Sequence, residues 1–110
     1  MSERPISLAE LELLEAERWS EAVFTSKVRT EAITNGWLFY HTADSRGSDR
    51  GFPDCVMVRG ERIVFAELKV PGGRVAPAQR DWMMRLVAAT RHEAKVWYPS
   101  HWQAIKELLR

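Results

Sequence analysis

Residues 51–69 read GFPDCVMVRGERIVFAELK, and the arrangement of this stretch decides the fold. Two runs rich in apolar and β-branched residues, 53–59 and 62–70, flank Arg59-Gly60-Glu61-Arg62, with glycine at the first central position, the preference of a two-residue type II′ hairpin turn. That turn sets the register. Counting outward from 59 opposite 62, position 58 faces 63, 56 faces 65 and 54 faces 67. Asp54 and Glu67 therefore stand opposite each other, with Cβ atoms about 4.5–5.5 Å apart. Side chains alternate with a period of two, which puts Lys69 on the face of Glu67. Asp54 shares its face with Val56, Val58, Ile63 and Phe65, while Cys55, Met57, Val64, Ala66, Leu68 and Val70 line the other. With both faces apolar, the sheet is expected to be covered on both sides, the carboxylates emerging where the core ends.

Directly opposed like charges are destabilising, and partial burial makes them more so. A proton on one carboxyl, a bridge through Lys69 or a divalent cation would each relieve them. Oxygen-only ligands suit a hard ion such as Mg2+ or Mn2+ better than zinc. Pro53 fixes φ ahead of the aspartate, and Gly51 predicts a close approach of the backbone to another group, such as a phosphate.

Working outward, Ser7 caps a predicted helix to about Trp19, with Leu8, Leu11 and Leu14 as its apolar stripe and Glu10, Glu12, Glu15 and Glu17 opposite. A second helix runs from a Ser20 cap to about Asn35, followed by Gly36. At 100° per residue, Glu21 falls in the sector of Phe24, Thr25, Val28 and Ala32, and either the helix N-terminus or a site satisfies it. WLFYH (37–41) is a strand, TADSRGSDRG (42–51) a polar loop and PGGRVAP (71–77) a flexible connection. Pro77 opens a helix to about Thr90 with a core stripe of Trp82, Leu86 and Ala89. EAKVWYP (93–99) is the last strand, and Ser100 caps a closing helix that buries Trp102, Ile105 and Leu109. The order α, α, β, β, β, α, β, α implies a mixed four-stranded sheet flanked by helices, an α/β fold.

A chain of 110 residues, 45% apolar, reads as one domain over 1–110 that buries roughly two-thirds of its unfolded surface. With no apolar run of roughly 18 residues, no signal segment and no lipidation motif, it is expected to be cytoplasmic, with no membrane partner. The single Cys55 reads as a buried hydrophobe. Net charge is +1, but unevenly spread: residues 1–31 hold seven acids against four bases, and 32–110 twelve bases against eight acids. Arg46, Arg50, Arg59, Arg62, Arg74 and Arg80 surround the acidic strand pair along the chain; arginine grips phosphate with two prongs, while charge alone favours a solvated mixed-charge surface. His41 and His92 have no paired nucleophile and read as structural or exposed.

Pro53-Asp54 followed by Glu67-Leu68-Lys69 resembles the PD-(D/E)XK signature of a nuclease superfamily. The fuller run HTADSRGSDRGFPDCVMVR, IVFAELKVPGGRVAPAQRDWM and VWYPSHW is similar to its VRR-Nuc branch, the virus-type replication-repair nuclease domain, over about residues 20–106. The resemblance implies a restriction-endonuclease-like fold with an αβββαβ core and a small stand-alone protein of the phage type, at work in a bacterial or phage-infected cell. It also implies Mg2+- or Mn2+-dependent hydrolysis of DNA phosphodiesters, and a homodimer acting on Holliday junctions. By the same resemblance Asp54, Glu67 and the Leu68 carbonyl are metal ligands, Glu21 completes the site directly or through water, Lys69 handles the attacking water, and Gln79 sits on the helix after the catalytic strand. Ala76 departs from relatives with Ser or Thr before this proline, so the helix lacks a side-chain cap. Arg46, Ser48, Arg50 and Arg74, on loops beside the site, are expected to hold the DNA backbone. Residues 1–19 are a candidate dimerisation extension. The competing readings are a flap, duplex or restriction-like nuclease, and a non-cutting DNA-binding module.

Overall fold

A computed structural model describes residues 4–42, 49–90 and 93–110. Helices α1 (Leu8–Ala16) and α2 (Glu21–Thr34) precede a meander of β1 (Leu38–His41), β2 (Cys55–Arg59) and β3 (Arg62–Leu68). Helix α3 (Pro77–Thr90) crosses over to β4 (Glu93–Trp97), and a 3-10 turn at Pro99–His101 leads into α4 (Trp102–Leu109). The sheet order is β1-β2-β3-β4, antiparallel except for the parallel β3–β4 pair that the crossover requires. This is the mixed α/β sheet read from the sequence.

Gly60 turns the hairpin with φ 58, and the register follows: Arg59 pairs with Arg62, Val58 with Ile63, Val56 with Phe65 and Cys55 with Ala66. Ser7 and Glu10 form a capping box on α1, Ser20 accepts from the Val23 N–H on α2, and α2 stops before Gly36 at φ 84. The core lies between one sheet face (Cys55, Met57, Val64, Ala66, Leu68, Trp97) and α2 (Phe24, Val28, Ala32) with α4 (Trp102, Ile105, Leu109). Each large side chain fully buried there contributes roughly 1.5–3 kcal/mol relative to exposure.

Several expectations are corrected. The α1 stripe Leu8, Leu11 and Leu14 points to solvent. Helix α1 docks on α4 by another face, through buried Ala16 and through Glu12, whose carboxylate accepts from Lys106 Nζ at 2.7 Å and Gln103 Nε2 at 2.6 Å. The second sheet face is covered only in part. Helix α3 packs against β4, whereas Leu38, Tyr40 and Val58 at the β1–β2 end are exposed. Among the described side chains of α3 the buried one is Met83, because that rotation brings Gln79, four positions earlier, over the sheet; Trp82 leans aside onto Phe52 with ring centroids 5.2 Å apart. Ser100 caps nothing, since the 3-10 turn displaces the start of α4 to Trp102 with His101 as its N-cap.

Arg59 and Arg62 lie at the hairpin turn, remote from the acidic pair. Trp37 lies against both, with the two guanidinium carbons 4.6 and 5.1 Å from its ring centroid. Arg59 Nη1 donates to the carbonyls of Asn35 (3.0 Å) and Leu109 (3.1 Å), and Trp37 Nε1 also donates to Leu109 O (3.0 Å). One guanidinium thus caps the ends of α2 and α4. Arg59→Met keeps the stem and removes these donors, which is expected to cost about 2 kcal/mol, seen as a lower urea midpoint with an unchanged slope.

Candidate active site

Strand β2 begins one residue after Asp54, and β3 ends one residue after Glu67, so both acids lie at the same rim of the sheet. The ladder runs to this rim, since the Thr42 N–H donates to Asp54 O at 2.7 Å and Thr42 Oγ1 to Pro53 O at 2.8 Å. Extending the observed pairing by one step from Cys55–Ala66 sets position 54 opposite 67. Asp54 Oδ2 accepts from the Leu68 N–H at 2.9 Å, which ties the aspartate to the end of β3.

Glu67 is 1% exposed. Its Oε1 accepts from Gln79 Nε2 at 3.0 Å and lies 3.9 Å from Lys69 Nζ. Its Oε2 is buried and has no hydrogen-bond partner among the described residues. Burial first, then the adjoining Asp54 carboxyl and the Asp54 charge, push the Glu67 pKa up to about 8; Lys69 pulls it down and the more weakly acting Glu21 adds to the rise. An orphaned buried carboxylate oxygen is costly, so this atom calls for a proton or a cation.

Gln79 is committed at both ends, because its Oε1 also accepts from the Ala76 N–H at 2.8 Å. That bond is the return half of a capping box, whose Ser or Thr half Ala76 cannot supply. The helix start is held in turn by the loop before Asp54. Gly51, at φ 94, presses so closely on α3 that a Cβ there would lie 2.5 Å from the carbonyl carbon and oxygen of Ala78. The close approach anticipated for Gly51 is thus to a helix backbone. Trp82 Nε1 donates to Arg50 O at 3.1 Å, and Phe52 wedges between Phe65 and Trp82. Sequence reasoning assigned no role to Phe52; its signal is a large aromatic between Gly51 and Pro53.

Glu21 is exposed in the first turn of α2 and reaches Glu67 only through its field. Among the described residues no group of three or more His, Cys, Asp and Glu side chains is gathered to hold an ion. Arg50 and Arg74 are exposed, as is Arg80 next to Gln79. Arg46, Ser48 and His92 lie outside the described residues. His41 is exposed at the edge of β1. Cys55 is buried, its thiol donating to Ala66 O at 3.6 Å, and burial with the nearby carboxylates pushes its pKa up, which keeps it a thiol.

The VRR-NUC domain model matches residues 9–98. No curated protein matches the chain. Among solved structures the chain is similar to Hjc, a Holliday junction resolvase from the archaeal hyperthermophile Archaeoglobus fulgidus, with TM-score 0.53 and 18% identity over 70% of this chain and 67% of that one. At that identity the likeness is one of fold.

Proposed function

The chain belongs to the VRR-NUC nuclease domain family, and from that premise we propose that it is a divalent-cation-dependent DNA endonuclease of branched substrates, four-way junctions foremost. The observation that carries this reading is the buried Glu67 Oε2 beside Asp54, without a hydrogen-bond partner among the described residues. Such an oxygen pair fits a hard cation. Mg2+ or Mn2+, held by Asp54, Glu67 and the Leu68 carbonyl with Glu21 contributing through water, would supply Lewis acidity at the scissile phosphate.

The chain's own groups do the rest. Gln79 and the Leu68 N–H fix the two carboxyls before substrate arrives. Lys69, mostly buried beside Glu67, orients the attacking water and offsets the charge that builds on the phosphorus oxygens. Arg50 and Arg74, with Arg46 and Ser48, grip the DNA backbone and read no bases. Arg80 joins them on exposure alone.

The preference for junctions rests on the fold shared with the archaeal resolvase. Symmetric scission of two strands needs two sites, which a two-fold homodimer provides. The outward leucines of α1 keep residues 1–19 available as its extension.

Labelled four-way junctions, flaps and linear duplex, each incubated with Mg2+, Mn2+ or chelator, test the reading. Junctions are expected to be cut with either cation and spared with chelator, and Lys69→Ala to be slower by about 10²-fold. Cleavage that survives chelation defeats the cation requirement, equal cutting of plain duplex defeats the junction preference, and light scattering from a monomer on a junction defeats the dimer.

A further inference from the structure

The connection between Lys69 and α3 is PGGRVAP (71–77), a segment whose two adjacent glycines give it little stiffness of its own. Yet Lys69 depends on it. Gly73 sits against the lysine stem, for a Cβ there would lie 3.5 Å from Lys69 Cδ and 3.6 Å from Lys69 Cβ. The segment turns at Val70, whose carbonyl accepts from the Gly73 N–H at 2.9 Å, with Gly72 at φ 89. Ala76 is held by Gln79 at the far end. Between these local bonds, one hydrogen bond among the described residues comes from a distant element: Tyr98 OH donates to Gly73 O at 3.0 Å.

Tyr98 is itself firmly placed. It follows the last residue of β4, where Trp97 O accepts from the Lys69 N–H at 2.8 Å, so the sheet positions both partners. Its N–H donates to His101 Nδ1 at 3.2 Å, and its ring meets the His101 ring edge-on at 5.8 Å. The part-buried phenol is thereby aimed at the glycine turn. We infer that Tyr98 is a positioning residue for Lys69: its hydroxyl latches the 71–74 turn against the lysine stem and so keeps the ammonium beside Glu67. The inference rests on the nuclease reading for its catalytic consequence, but the latch itself exists whether or not the protein cuts DNA.

The test is Tyr98→Phe, which keeps the ring and removes only the hydroxyl, read in two ways. Amine acetylation with peptide mass mapping is expected to show Lys69 modified at least about threefold faster than in wild type, with Lys95 and Lys106 unchanged, because a bond worth about 1 kcal/mol no longer closes the turn. Single-turnover cleavage is expected to fall about tenfold with the half-saturating DNA concentration unchanged, and Tyr98→Phe is expected to add nothing in a Lys69→Ala background. An unchanged Lys69 acetylation rate overturns the latch. Faster acetylation with a wild-type cleavage rate, while Lys69→Ala is impaired, overturns its role in positioning. If Lys69→Ala cleaves like wild type, the nuclease reading of the site falls, and the acetylation rate still decides the latch.

Discussion

Glu67→Gln is expected to lower the cleavage rate by about three orders of magnitude while raising the melting temperature of the cation-free protein at pH 8. The first effect follows from removing a charged ligand, a loss of about 4 kcal/mol of transition-state stabilisation. The second follows from the same burial that makes the acid useful. Glu67 is raised from 4.5 to about 8, so the folded protein holds a proton that the unfolded chain releases between those values. Stability from this group is complete below pH 4.5 and drains away as the pH climbs to about 8. The amide carries no charge, its oxygen still accepts from Gln79, and its nitrogen donates to Asp54 where Oε2 had no partner. A gain on the order of 5 °C at pH 8 is expected, shrinking to nothing near pH 4. Millimolar Mg2+ should then raise the wild-type midpoint and leave that of Glu67→Gln unmoved. Calorimetric scans at the two pH values check this; a variant that melts lower at pH 8 contradicts the assignment of Glu67 as a strained acid.

The second large effect is expected from a steric fit and not from a charge. Gly51→Ala places a methyl carbon 2.5 Å from Ala78 backbone atoms and asks an L-residue to hold φ 94. No rotamer change relieves a clash with the backbone of a helix's first turn. The loop cannot swing freely either, since Trp82 holds Arg50 O, and Phe52 is wedged between two rings. The strain must therefore separate the Asp54 loop from the start of α3, and so part Asp54 from Gln79. A destabilisation of about 3 kcal/mol is expected, or a midpoint lower by 10 °C or more at about 4 °C per kcal/mol. Cleavage at a temperature where the variant is still folded should fall about 10²-fold, because misplacement of about 1 Å carries that cost. A midpoint within about 2 °C of wild type would show that loop and helix are less tightly joined than the distances imply.

The sheet and its register were legible because the hairpin signal is local: Gly60 fixes which residues pair, and period-two alternation does the rest. The opposition of positions 54 and 67 needed no further information. Rotations of helices about their own axes were not legible in the same way. Leu8, Leu11 and Leu14 make a good stripe by spacing, yet the Glu12–Lys106 pair turns that stripe outward. In α3 the rim acid recruits Gln79, which makes Met83 the buried position in place of Trp82, Leu86 and Ala89. Arg59 and Arg62 were grouped with the arginines around the acidic strand pair with no role in packing foreseen, whereas the strands carry them to the hairpin turn, where they hold Trp37 and helix ends. Each of these failures involves a polar group choosing a partner distant in sequence, which hydropathy does not encode.

The orientation of the Gln79 amide has one more consequence. Its oxygen faces an N–H that can only donate, so its nitrogen is obliged to serve Glu67, and the carboxyl oxygen it meets already shares one lone pair. A proton and a dication then contend most directly for Oε2, the oxygen without a partner among the described residues. Acidity of the medium and scarcity of the ion become interchangeable, two names for one competition at one oxygen.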